Sequence, residues 1–153
     1  MCIIIDTNQL SNCFGDKPTK AARPVMQWVR KRSGCIVYGG KQQIEEIKKV
    51  RAAVVRLAEL KIDGLAIEID KSKIAEEAKK IRNLPRASND LHILALARAS
   101  GAKLLFSMDK KLGQDFKNRK LVKVRGSVYQ GREEHRNLLK PSACPFCAVT
   151  TTR

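Results

Sequence analysis

Cys2-Ile3-Ile4-Ile5 is an unbroken apolar run that stops at Asp6-Thr7-Asn8. A run without alternation fits a strand covered on both faces, and such strands are usually parallel. Short runs of the same kind recur at Cys35 to Tyr38, Leu65 to Ile69, Lys103 to Phe106 and Leu121 to Arg125. Between them the apolar positions take helical spacing at about 19–32, 41–61, 71–82 and 89–100, long enough for the crossovers that parallel neighbours require. The last of these (Leu91, Ile93, Leu94, Ala95, Leu96, Ala97) is apolar nearly all round, which predicts a buried helix. Pro24 fits either a first helical turn or a break within 19–32. Alternating strands and helices predict an α/β fold, a three-layer α/β/α sandwich on a four- or five-stranded, mainly parallel sheet.

A chain of 153 residues suits one domain with its own core. Regular periodicity fades from about Gly126, so the expected division is a folded domain over 1–125 and a basic extension over 126–153, loosely attached and partly disordered. The longest apolar run near the start is too short for a signal-peptide core, and nothing approaches the roughly 20 apolar residues of a membrane span. Five cysteines at scattered positions (2, 13, 35, 144, 147) do not form a secreted disulfide framework. Both points predict a cytoplasmic protein.

Charge changes the picture more than length does. Lys and Arg total 31 against 15 Asp and Glu, a formal +16, and residues 110–153 alone hold eleven bases against three acids. That excess predicts a polyanionic partner, nucleic acid above all. A membrane surface fits poorly, because aromatic anchors make up only 5% of the chain.

In an open parallel sheet, ligands bind beyond the carboxyl ends of the strands. Asp6 falls there directly after the first run, and Asp109 follows Lys103 to Phe106 across Ser107-Met108. The helix ending near Ser100 feeds the next strand from its amino end, so Asp90 at its start returns to the same edge. Glu45 and Glu46 follow Gly39-Gly40 on that side. A helical step of about 100° per residue sets Glu46 about 100° from the centre of the Ile44, Ile47, Val54 stripe and Glu45 about 160° away, which favours Glu46. Taken singly, each acid also fits a cap, a turn or a solvated surface. Together they repel by roughly 4 kcal/mol per pair at 4 Å and an effective dielectric of 20, so the cluster calls for a cation. Oxygen-only donors suit Mg²⁺ or Mn²⁺, which bind phosphate oxygens at the same time and activate water for phosphodiester hydrolysis.

Ile3-Ile4-Ile5-Asp6-Thr7-Asn8, Glu46-Ile47, Asn89-Asp90 with the apolar helix to Ala97, and Lys103-Leu-Leu-Phe-Ser107-Met-Asp109 resemble, in order and spacing, the PIN-domain nucleases. The resemblance covers about residues 1–125. It implies a Rossmann-like sandwich, with Asp6, Glu46, Asp90 and Asp109 as metal ligands and RNA as substrate. It also implies that Ser107 orients the first Asp or a water, and that Asp115 occupies a family position. Many small proteins of this family are toxins of toxin–antitoxin pairs, so an antitoxin protein, and a second copy of the chain as a homodimer, are implied partners. The high basic charge and the extension after Arg125 depart from the usual toxin.

Other constellations rank lower. Cys144-x-x-Cys147 is half of a tetrahedral zinc site with a second Cys pair absent, leaving His135 or a symmetry mate to complete it, and it reads chiefly as part of a reduced, mobile tail. His92 fits a packed or edge histidine better than a proton shuttle. A haloacid-dehalogenase phosphatase needs a second Asp where this chain has Asn8. The rival of another class is a PIN-like module that binds RNA without cutting it.

Overall fold

The structure is a computed structural model that describes residues 1–141, so Cys144 and Cys147 lie outside the described residues. Five strands form one sheet: β1 (Cys2–Ile5), β2 (Cys35–Gly39), β3 (Ala66–Ile69), β4 (Leu104–Phe106) and β5 (Ser127–Tyr129). Their order is β3-β2-β1-β4-β5, with every pairing parallel. The apolar runs thus become two-faced strands, as their lack of alternation requires. Ile4 and Leu105 face a core shared with α5 (Lys71–Ile81), α6 (Leu91–Ser100) and α7 (Lys110–Phe116). Ile3, Ile5, Leu104 and Phe106 face the opposite core, with α1 (Leu10–Phe14), α2 (Arg23–Arg30), α3 (Lys41–Lys48) and α4 (Arg51–Ile62). No helix among the described residues is long and apolar enough to cross a membrane.

Pro24 sits in the first turn of α2, where its missing N–H costs nothing. The segment expected as one helix over 41–61 is two, because Val50 is extended (φ −114°, ψ 94°) between α3 and α4. That break re-phases the second half, leaving Val54 exposed rather than in one stripe with Ile44 and Ile47. The fifth strand is displaced too. Leu121 and Val122 are buried in a turn against the α6–α7 core, where Arg98 Nη1 donates to the Leu121 carbonyl at 3.3 Å. The chain pairs with β4 only from Ser127, whose N–H donates to the Lys103 carbonyl at 2.9 Å. Apolar residues at 121 and 122 mimic a strand because they serve the core from a turn. Sheet structure therefore continues past residue 125.

Candidate active site

β1 and β4 are neighbours, and from β1 the chain runs to β2 on one side while β4 lies on the other. This is the topological switch point, where the carboxyl ends of an open sheet leave a crevice. Asp6 continues β1 there, its N–H donating to the Phe106 carbonyl at 2.9 Å. Glu46 arrives by a tight turn: Gly39 and Gly40 both have positive φ (146° and 85°), and a Cβ on Gly39 would stand 2.7 Å from the Ile69 carbonyl oxygen. Only glycine accepts that conformation and approach, so α3 can start directly at the sheet edge. Asp90 takes the N-cap position of α6 and Asp109 that of α7, both helices pointing their amino ends to the same edge.

Asp6, Glu46, Asp90 and Asp109 all line one open cavity of about 310 Å³, together with Thr7, Asn8, Lys49 and Val50. Asp6 is buried, and its Oδ2 accepts a hydrogen bond from the fully buried Ser107 hydroxyl at 2.7 Å. The same Ser107 oxygen accepts the Asp109 N–H at 3.0 Å. Asp109 Oδ1 accepts the N–H groups of Lys111 (2.9 Å) and Leu112 (3.2 Å), which fixes one oxygen as a helix cap. Thr7 donates its hydroxyl to Glu46 Oε2. His92 Nε2 lies 3.4 Å from that same oxygen.

The electrostatics follow from burial and crowding. Burial raises the Asp6 carboxyl above its ordinary value, and the nearby Asp109 and Glu46 add to this against the lowering hydrogen bonds from Ser107 and Thr7. Asp90 is also raised, first by burial and then by Asp6, with Asp109 and Glu46 adding to it and His92 opposing. Asp6 and Asp90 therefore feel the neighbouring acids as negative charge. Among the described residues no three acidic, His or Cys side chains are drawn together at ligating distance. Four carboxylates around one crevice, two of them held above their ordinary values, nevertheless fit a hard divalent cation, which takes oxygen donors and relieves such repulsion.

Glu45 is exposed and lines a separate cavity with Lys41, Lys48 and Lys71. Asp115 is not at the crevice. It is buried and accepts the N–H groups of Ala87 and Ser88 (both 2.8 Å) and the Ser88 hydroxyl (2.7 Å), tying down the loop that leads into Asp90. His92 is nearly buried beside Glu46, and neither ring nitrogen has a hydrogen-bond partner among the described residues. Reading the sequence missed Lys49, the one cation among the described residues that line the crevice, and Thr7 as the partner of Glu46. The signal for Lys49 was the helix break beside it, which the apolar pattern concealed.

A family model described as PIN domain matches residues 3–116 of the chain. No curated protein and no solved structure gives a match.

Proposed function

The chain belongs to the PIN-domain family, and from that premise we propose that it is a divalent-metal-dependent endoribonuclease, with Asp6, Glu46, Asp90 and Asp109 as the metal-holding acids. PIN domains are generally nucleases. The observation that carries the reading is the meeting of these four carboxylates, from four separate elements, in one crevice at the switch point of the sheet.

Bound there, Mg²⁺ or Mn²⁺ supplies Lewis acidity toward a phosphate and a more acidic water. The protein's own part is placement. Ser107 holds the Asp6 carboxylate through its hydroxyl and is itself tied to the Asp109 backbone, so the ends of β1 and β4 keep a fixed spacing. Thr7 holds Glu46 through its hydroxyl, and His92 Nε2 lies 3.4 Å from the same oxygen. Lys49 lines the crevice, and a lysine there suits a non-bridging phosphate oxygen. The formal charge of +16 supports an RNA substrate held mainly through its backbone. Lys20, Arg23, Lys31 and Arg136 line a further cavity of about 400 Å³ that suits such contacts.

The deciding experiment incubates the full chain with single-stranded RNA and Mn²⁺ or Mg²⁺, with and without excess chelator. Cleavage that the chelator abolishes is expected. RNA binding without cleavage under any metal condition would instead identify a binding module. The narrower role, a cytoplasmic toxin restrained by an antitoxin, predicts growth arrest on expression and release from it by a co-expressed neighbouring gene.

A further inference from the structure

We infer that the basic groove between α2 and the 3₁₀ turn over Glu133–Leu138 is a track for single-stranded RNA, holding the strand as it leaves the acidic crevice. This deepens the nuclease reading and rests on it. Lys20, Arg23, Lys31 and Arg136 line the groove, all exposed, and none forms an ion pair among the described residues. No Asp or Glu lines it among the described residues. Four cations that converge on one cavity of about 400 Å³ without a counter-charge suit a polyanion. Their arrangement is linear. Arg23, Gln27 and Lys31 follow one another at i, i+4 and i+8, so they share one face of α2. That face rises about 12 Å from Arg23 to Lys31, longer than one phosphate spans and suited to a backbone laid along the helix.

The track starts at the acids. α2 leads into β2, so it runs from the carboxyl edge of the sheet toward the amino edge, with Lys20 and Arg23 at the end nearer the crevice. There Gly131 packs so closely that a Cβ on it would stand 2.4 Å from the Ala21 Cβ and 3.7 Å from Met108 Cε. Ala21 adjoins Lys20, and Met108 adjoins Asp109. The second wall is tied to α2 before and after its turn. Tyr129 Oη donates to the Ala21 carbonyl at 2.9 Å, and Trp28 Nε1 donates to the Lys140 carbonyl at 3.2 Å. A groove held in this way is preformed, so binding carries little ordering cost. Arg136, Leu139 and Pro141 of that wall lie beyond residues 3–116, so the track is built partly outside the region that the family model matches.

The lining suits unstacked nucleotides in particular. Pro24, Trp28 and Leu139 place apolar surface among the cations, and Gln27 and Ser33 add side chains that both donate and accept hydrogen bonds. Single-strand grooves combine these two elements, cations along the backbone and apolar surface for the bases. A duplex keeps its bases stacked and out of reach of such a lining. The preferred substrate is therefore RNA with an unpaired segment beside the cut.

The test measures binding of a fluorescent oligouridine of about 12 nucleotides, a length such grooves commonly take, to the full chain in excess chelator, where metal-dependent cleavage is silent. Arg23→Gln/Arg136→Gln removes one cation from each wall. It should weaken binding about 10-fold and lower the slope of log affinity against log salt by about 1.4. Lys41→Gln/Lys71→Gln removes equal charge from another cavity and should cost less than about 2-fold. With Mn²⁺, the advantage in kcat/KM of the long RNA over a uridine trinucleotide should shrink about 10-fold in the groove variant, through KM. Lys31→Gln alone, at the far end of the track, should lower the salt slope by about 0.7 and decides the matter if the double variant misfolds. The proposal is overturned by equal losses in the two double variants, by an unchanged salt slope or by an unchanged length advantage. Groove-dependent binding of an acidic peptide such as hexaglutamate, with RNA affinity unaffected by the variants, would overturn it equally. A wild type that binds RNA through the groove yet cuts none would remove the nuclease reading and keep the groove.

Discussion

The Ser107 hydroxyl, fully buried, donates to Asp6 Oδ2 at 2.7 Å across 101 residues of sequence. The serine thereby couples the first acid to the strand end that carries the last. Ser107→Ala should leave the fold intact and RNA affinity unchanged while lowering the cleavage rate about 10- to 100-fold, the usual effect of removing a partner that orients a metal ligand. Because the lost bond lowers the Asp6 carboxyl, the pH at which activity rises should also move upward. Single-turnover rates against pH measure both effects.

Replacing Asp6, Asp90 or Asp109 with Asn should reduce cleavage at least about 100-fold with RNA binding retained. The stability effects should differ among the three. Asp6→Asn and Asp90→Asn relieve like-charge repulsion, so in metal-free buffer they should melt at the same temperature or higher. Asp109 also caps α7 through Lys111 and Leu112. Asn keeps much of that cap, whereas Asp109→Ala should cost about 1 kcal/mol. Added Mn²⁺ should raise the wild-type melting temperature more than that of any of these variants.

Acid has opposite effects at two places. Asp6 and Asp90 are raised above their ordinary value of 3.8, so between that value and their raised values the native chain binds more protons than the unfolded chain. Stability of the metal-free protein therefore falls as pH rises through this window. The advantage of Asp6→Asn over wild type should be largest near pH 7 and vanish toward about pH 4. Glu77 behaves in the reverse sense. Lys80 at 2.7 Å holds it below its ordinary value of 4.5, with help from Lys123 and Arg98. Its contribution is present above 4.5 and is lost as pH falls through the lowered value. Glu77→Gln should cost roughly 2 kcal/mol at neutral pH and converge on wild type in acid. Denaturant unfolding across pH distinguishes the two.

Asp115 gives a separate prediction, since its carboxylate satisfies two backbone N–H groups and one hydroxyl just before Asp90. Asp115→Ala should destabilise the chain by about 2 to 3 kcal/mol, as buried donors lose a charged acceptor. It should also raise the Mn²⁺ concentration needed for half-maximal cleavage, with no large change in RNA affinity. A metal requirement that stays fixed would confine Asp115 to stability.

The sheet was legible in the sequence because its strands are buried on both faces, and unalternated runs such as Cys2 to Ile5 mark that environment directly. Leu121 and Val122 misled for the same reason: burial of a turn leaves the same apolar signature. Among the acids, Asp6, Asp90 and Asp109 could be placed at the edge from strand and helix direction alone. Glu46 was chosen over Glu45 with a stripe that included Val54, a residue the break at Val50 turns to solvent. Only Ile44 and Ile47, within α3, support that choice. Lys49 and Thr7 were invisible because their roles depend on how α3 ends and on which side chain faces the residue after β1.

The central place of β1, with β2 on one side and β4 on the other, also sets an order in time. Once made, β1 has an open flank until the chain has been extended past residue 106, and that flank carries Asp6. Long-range pairing of this kind is slow to form, because closing so large a loop precedes any contact that rewards it. A chain still growing on the ribosome holds Asp6 and Glu46 without Asp90 or Asp109. The nuclease edge is thus assembled late, so a truncated translation product would carry basic surface for RNA but an incomplete set of acids for cutting it.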